Sequence, residues 1–445
     1  MPQKEVITNL TGVVAPLLLS DVKNPQELCY TSPFLPRYWT KTVPFIKDNI
    51  RLDPCNSAKL NAENIFEISK IGHGITDFVI RCILPPGTVN GGIVPNIQAN
   101  YTDFTGWEYW EKLEMKFLAN DVFDVVPHDL YFEHRKNHEV EKRDAINELV
   151  LGDTSTAIRT AAFANGTELI TDFFLPFTKA SKKMLPIVVL SQKIRTILTT
   201  RPLNQFTQIQ VPTVTTEVAT YNNVDIQLQL LLEIVHLTAN ESGYFLAMSQ
   251  ENTGIGYMIH QHIRQMTERI ATLASNVRIP VRLCGISKPI RIFNFALQPE
   301  AMSNNTNRND RFFFNPNPPL PIPAGLSPYN PITQWEIEAN GQIIVRPLYR
   351  NQNRVHMHQQ YCISPHGDEF FTYYFGQKPN SVDESNGYMD FSNLNNAMLY
   401  ITLGIGGTGT DLVNPQNPQQ LNVIVNAEDY NFWYLKKGNW SKSFH

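Results

Sequence analysis

Residues 64–87 read NIFEISKIGHGITDFVIRCILPPG. Asn64–Lys70 alternates apolar and polar side chains, IGHG supplies a turn, and Thr76–Leu84 is a second apolar run closed by Pro85, Pro86 and Gly87. A period of two marks a half-buried strand, and Pro-Pro-Gly cannot continue one. The unit therefore predicts a strand, a hairpin or sharp corner, and a second strand. Similar units recur along the chain. Lys112–Leu118 (KLEMKFL) places Leu113, Met115 and Phe117 on one face, and Leu169–Phe177 (LITDFFLPF), Pro186–Leu198 (PIVVLSQKIRTIL) and Asp225–Leu237 (DIQLQLLLEIVHL) follow. Further strands are expected at Gln342–Tyr349, Glu369–Phe375, Ala397–Leu403 and Leu421–Asn426. Short strands at regular spacing with turn residues between them are the signature of sandwiches and barrels.

Composition agrees. Of 445 residues 18% are charged, 42% hydrophobic and 11% aromatic, so there is ample material for buried cores. Proline (30) outnumbers glycine (23), and 41 asparagines equal Asp and Glu together. Such a store of turn formers argues against a helical bundle or an alternating α/β enzyme. At roughly 150 residues per domain the length suggests three domains, but all-β units run longer, so two are equally natural. The Thr-, Gln- and Asn-rich stretch 201–224 is the expected boundary. Residues 1–50 then form an N-terminal arm and first strand region, 51–212 a first barrel, and 213–445 a second, with an Asn/Pro-rich surface loop at 302–331.

Two segments read differently. Thr238-Ala-Asn-Glu241 has the form of a capping box, so a short helix should run through Phe245–Met248. Ile259, Ile263, Met266 and Ile270 fit helical spacing, while their surroundings favour an extended chain. The polar stretch His134–Asp153 simply interrupts the strand pattern.

A net charge of −4 gives no basic field for sequence-independent binding to phosphate backbones. Five widely spaced cysteines (Cys29, Cys55, Cys82, Cys284, Cys362) without a C-x-x-C pair indicate neither a disulfide framework nor structural zinc, and fit buried thiols in a reducing compartment. No segment reaches the ~18 apolar residues of a membrane span, and Gly12–Leu19 is too short and proline-broken for a good signal peptide.

Each candidate for chemistry has a plainer reading. Gly404–Gly409 matches G-x-G-x-x-G, but TDLVNPQNPQQ behind it cannot form the helix whose amides would hold a phosphate. His134/His138, His260/His262 and His356/His358 are spaced as ligand pairs, yet no third ligand or H-E-x-x-H context accompanies them, so solvated or edge histidines are expected. Trp107–Glu114 offers stacking aromatics with Glu108 and Glu114, the minimal equipment of a glycosidase. As alternate positions on one strand beside basic neighbours, those carboxylates read better as a solvated face. Six N-x-[ST] sequons, at Asn9, Asn100, Asn165, Asn240, Asn304 and Asn439, are close to chance. No catalytic, cofactor-binding or metal-binding residue is designated, and no enzyme is expected.

In order along the chain, several of these segments resemble the major capsid proteins of nucleocytoplasmic large DNA viruses. They are Asn24-Pro25-Gln26 with the run to Tyr38, Ile65–Pro86, Trp110–Phe117, Thr171–Arg195, Leu228–Phe245, Lys288–Gln298 (KPIRIFNFALQ), Glu369–Leu403 and Val423–Tyr434. The most specific is Glu369–Leu403, in which an aromatic strand (FFTYYF) leads through Lys378-Pro379 to SNGYMDFSNLNNAML. The C-terminal KKGNWSKSFH departs from the family's Gly-rich tail, and the 302–331 loop has no evident counterpart. The resemblance implies an all-β double jelly roll, two consecutive eight-stranded barrels with short helices in loops. It also implies a homotrimeric capsomer subunit of an icosahedral double-stranded DNA virus, found in the virion and assembled in the host cytoplasm. The implied partners are neighbouring capsomers, minor capsid and penton proteins and an internal viral membrane, with no sequence-specific nucleic acid binding. The 302–331 loop and the polar 134–160 stretch become candidates for the outer surface or for clasping neighbours. Alternatives are a poxvirus-like assembly scaffold and a carbohydrate-active β-sandwich.

Overall fold

The first eight barrel strands are β1 (Phe45–Leu52), β2 (Glu63–Ile68), β3 (Gly74–Leu84), β4 (Trp110–Phe117), β5 (Asn120–Val125), β6 (Thr167–Asp172), β7 (Ile194–Thr200) and β8 (Gln227–Leu237). The next eight are β9 (Ile255–Ala271), β10 (Arg278–Arg282), β11 (Pro289–Pro299), β12 (Ile332–Ala339), β13 (Gln342–Tyr349), β14 (Phe370–Tyr374), β15 (Met398–Leu403) and β16 (Gln420–Lys436). The first set forms sheets ordered β1-β8-β3-β6 and β2-β7-β4-β5, and the second β9-β16-β11-β14 and β10-β15-β12-β13. Adding eight to every label of the first set gives the second. Each set is two four-stranded sheets in the jelly-roll order, so the chain is a double jelly roll. This computed structural model describes residues 45–90, 99–117, 120–137, 140–173, 184–209, 218–221, 225–250, 254–271, 278–299, 332–349, 352–353, 370–376, 387–394, 396–403 and 420–442. The 302–331 loop and Gly404–Gly409 lie outside them.

The opening unit is a corner, not a hairpin. β2 and β3 belong to opposite sheets, and the chain turns between them at Gly72, whose φ is +79°. A Cβ there would sit 2.3 Å from Ile234 Cγ2, so both backbone and space require glycine. Beyond the corner, Phe78, Ile80, Cys82 and Leu84 alternate into the core. Leu113, Met115 and Phe117 share the buried face of β4, as their spacing predicts.

Several expectations change. Ile187–Val189 is a 3₁₀ turn, and only Ile194–Thr200 of the apolar run is strand. The segment carrying Ile259 and Ile270 is extended. Thr207–Ile209 pairs with Ala99–Tyr101 and Val218–Tyr221 with Gly87–Asn90, so the 201–224 stretch forms two short two-stranded sheets with segments of the first half of the chain. β8, expected to open the second barrel, pairs antiparallel with β3. It is the last strand of the first barrel, because Leu228, Leu230, Leu232 and Ile234 alternate into that core. The change of barrel falls after it, at the helix Ala239–Gln250 that the Thr238–Glu241 box predicts.

The 134–153 stretch is helical. A single turn, α1 (Thr105–Glu108), is followed by α2 (Pro127–Asn137), α3 (Val140–Val150) and α4 (Thr156–Asn165). Ser155 caps α4 by accepting the Ile158 amide, and Gly166 with φ +80° ends it. This stretch is not a purely outward insertion, since Val150 and Leu151 belong to the first core and His134 and Asn147 are buried. His134 lies 5.2 Å from the Trp107 ring. Asn147 donates to Asp153 (2.9 Å), which turns its carbonyl oxygen to accept the His134 Nε2 proton at 2.8 Å. The second core is built around Phe295, whose ring lies 5.1 Å from Phe371 and 5.2 Å from Trp335. Among the described residues no helix is long and apolar enough to cross a membrane.

Burial lowers the His134 pKa from 6.5 to about 4. The unfolded chain therefore binds this proton more readily, and stability is lost as pH falls from 6.5 toward 4. His134→Gln, which keeps a donor toward Asn147, is expected to flatten that limb of the urea midpoint plotted against pH.

Candidate functional site

The glycosidase candidates come apart. Glu108 is not on β4 beside Glu114. It closes the helical turn α1, is fully buried, and accepts from Arg201 Nη1 at 2.9 Å. Glu114 stays on β4 and pairs with Lys112 (2.7 Å) and Lys116 (3.4 Å), and the Lys112 hydrogen bond lowers its pKa. A solvated face is thus right for Glu114 and wrong for Glu108. The thiols are mixed too: Cys82 is buried while Cys55 and Cys284 are exposed, which corrects the expectation of buried thiols throughout. Asn100, a formal sequon, is buried and donates to the Tyr101 carbonyl. His134 is a core residue. The side chains of His138, His260, His356 and His358 lie outside the described residues.

The concentration of buried charge lies elsewhere, where the two barrels meet. The sheet β9-β16-β11-β14 turns Phe293, Phe295, Leu297, Val423 and Val425 into the second core. Its other face carries Asn294, Gln298, Asn422, Asn426 and Glu428, all buried. Helix α2 of the first barrel lies against that face, with Phe132 and Phe370 at 4.9 Å between ring centroids. Arg264 of β9 donates through Nε to both oxygens of Asp129 on α2 (3.0 Å each), through Nη2 to the same carboxylate, and through Nη1 to Asp124 (2.6 Å). Asp129 also accepts from the Val126 amide (2.9 Å) and from Asn426 Nδ2 (2.5 Å). Burial opposes the charge on Asp129, yet Arg264 and His262 hold its pKa below the usual carboxylate value. Next along β16, Glu428 pairs with Arg291 (2.6 Å), while burial pushes Asp429 up to about 6 against Lys288 at 3.8 Å.

Within this joint Glu133, His262 and Glu428 bring potential ligand atoms within 4.8 Å of one another. Sequence reasoning missed the cluster, because its members come from α2, β9 and β16. Of the spaced histidine pairs only His262 contributes. The arrangement offers no nucleophile with an adjacent base. What it can do is fix one barrel against the other.

Residues 34–241 match the family described as major capsid protein N-terminus. The matched segment takes in the whole of the first barrel. Among solved structures, a PBCV-1 virus capsid model matches with a TM-score of 0.70 at 14% identity, over 92% of this chain and 98% of that one. The Faustovirus major capsid protein matches at 0.63 and 9%, over 97% and 96%. A chain of the Sputnik virophage structure matches at 0.59 and 9%, over 91% and 90%. At such identities the likeness shows the fold alone, and it extends over both barrels. No curated protein matches the sequence significantly.

Removing one partner of a buried ion pair strands the other. Arg264→Leu is expected to lower unfolding stability by about 3 kcal/mol. Combined with Asp129→Leu it should lose clearly less than the two single losses added, with a coupling of at least about 1 kcal/mol. A urea double-mutant cycle measures both.

Proposed function

We propose that this chain is a major capsid protein, three copies of which associate around a three-fold axis into a capsomer that tiles an icosahedral capsid of a large double-stranded DNA virus. The observation that carries the reading is the repeated strand order: one chain presents two barrels of equal topology. Three chains present six, and a tile of six similar blocks fills a nearly hexagonal lattice although its symmetry is only cyclic. The role needs rigid cores and complementary flanks and no catalytic group, so the chain acts as a structural subunit and not as an enzyme. The fused barrels suit it, because the joint makes each chain a fixed pair of blocks.

Edge strands are natural places for neighbours. Among the described residues β13 ends its sheet and leaves Ile343 and Tyr349 exposed. An unpaired edge with large apolar side chains is a liability in a monomer and an asset in a subunit that is flanked by copies. The remaining partners in this reading are minor capsid and penton proteins and an internal membrane, met after assembly in the host cytoplasm.

Light scattering on the purified chain tests the proposal. A stable species at three times 50.8 kDa is expected, and a monomer at micromolar concentration overturns it. The protein should also dominate the composition of purified virions.

A further inference from the structure

We infer that Glu133, His262 and Glu428 form a site for a divalent transition-metal ion of the zinc class, which ties the two barrels together. His262 and Glu428 face each other across the β9–β16 pairing, and Glu133 comes from α2 on the opposite side of the joint. Their ligand atoms lie within 4.8 Å of one another. Zinc bonds of about 2.1 Å hold tetrahedral donors roughly 3.4 Å apart. Side-chain rotation on the order of an ångström closes that gap, and Glu133 and His262 are only partly buried, which leaves room for it.

A second observation comes from outside the cluster. Asn426 Nδ2 donates to Asp129, a carboxylate that can only accept, so the amide oxygen of Asn426 is the atom facing His262. His262 Nδ1, 3.1 Å from that oxygen, therefore carries the proton, and Nε2 keeps its lone pair. An imidazole whose far nitrogen is held by a fixed acceptor is how ligating histidines are oriented. Arg291 fixes the Glu428 carboxylate in a comparable way, through Oε2 at 2.6 Å.

The donor set selects the ion. Calcium takes six to eight oxygens and magnesium an oxygen octahedron, whereas one imidazole with two carboxylates suits zinc, with water completing the shell. Because one ligand belongs to the first barrel and two to the second, the ion adds a cross-link beside the Arg264–Asp129 pair. The inference does not rest on the capsid reading and would survive its failure.

The test uses the full chain, stripped with a chelator and then titrated with Co²⁺ and Zn²⁺. The expected result is saturation near one ion per chain, a visible Co²⁺ band, and a thermal midpoint raised by about 3 °C at a hundredfold excess over Kd. His262→Gln and Glu133→Gln should each weaken binding at least about tenfold, whereas Glu114→Gln should leave it unchanged. X-ray absorption of the Co²⁺-loaded wild type, which needs no variant, should report one imidazole among oxygen ligands. Absence of saturable binding, undiminished binding by His262→Gln, or a spectrum without imidazole overturns the inference.

Discussion

The ribbon formed by β9 and β16 is the constraint on which the double barrel depends. Each strand has seventeen residues, and they pair from Ile255 opposite Leu435 to Ala271 opposite Gln420. At about 3.4 Å per residue the ribbon is on the order of 55 Å long. Ile255, Ile259, Trp433 and Leu435 lie in the first core, while Ile270, Leu421, Val423 and Val425 lie in the second. One continuous hydrogen-bonded ladder thus runs through both hydrophobic cores, and neither barrel can turn against the other without breaking it. The charged joint sits midway along, at His262 and Arg264 opposite Glu428 and Asn426. There the ribbon has left one core and α2 covers its outer face. Burying these groups is costly unless each is paired. In return their pairing fixes register, since a slip of one residue would turn Arg264 and Asn426 away from Asp129.

Strand existence was legible in the sequence, and strand partnership was not. The alternation in Asp225–Leu237 identifies a strand correctly, but periodicity carries no information about which edge that strand joins. Its partner is Gly74–Leu84, about 150 residues earlier. The Ile259–Ile270 segment shows a different limit. The pairing of β9 with β16 shifts register between Gln265 and Glu268. A bulge inserts a residue and reverses the phase of alternation. Ile263 and Ile270 therefore both face the second core although they are an odd number of positions apart. Period two with one phase slip imitates helical spacing, which is why composition and pattern disagreed there.

The joint was illegible for a related reason. Asp129 and Asn426 are 297 positions apart, and local periodicity, which marks Leu421–Asn426 as a strand, carries no information about what its polar face meets. The same holds for Glu108 and Arg201, 93 positions apart and fully paired inside the first barrel. Only 18% of the chain is charged, and part of that charge is internal, so the outer faces are left still less charged than the composition implies.

The sharing of the ribbon also decides what can count as a folding unit. Family likeness by sequence ends at residue 241, near the last strand of the first barrel. A core boundary drawn there would be wrong. Trp433, Leu435 and Trp440 pack in the first core, the two indoles 4.5 Å apart, and Gly438 accepts from the amide and hydroxyl of Ser191 in the first barrel. Large aromatic side chains contribute disproportionately to a core, and removing one costs about 3–5 kcal/mol. The first barrel is therefore closed by the last strands of the chain. Its packing reaches completion only after the second barrel's strands have been made and β16 has returned through them. Two rolls of identical order thus share side chains of the same strands, and a chain cut short before Trp433 would lack part of the first core as well as the second.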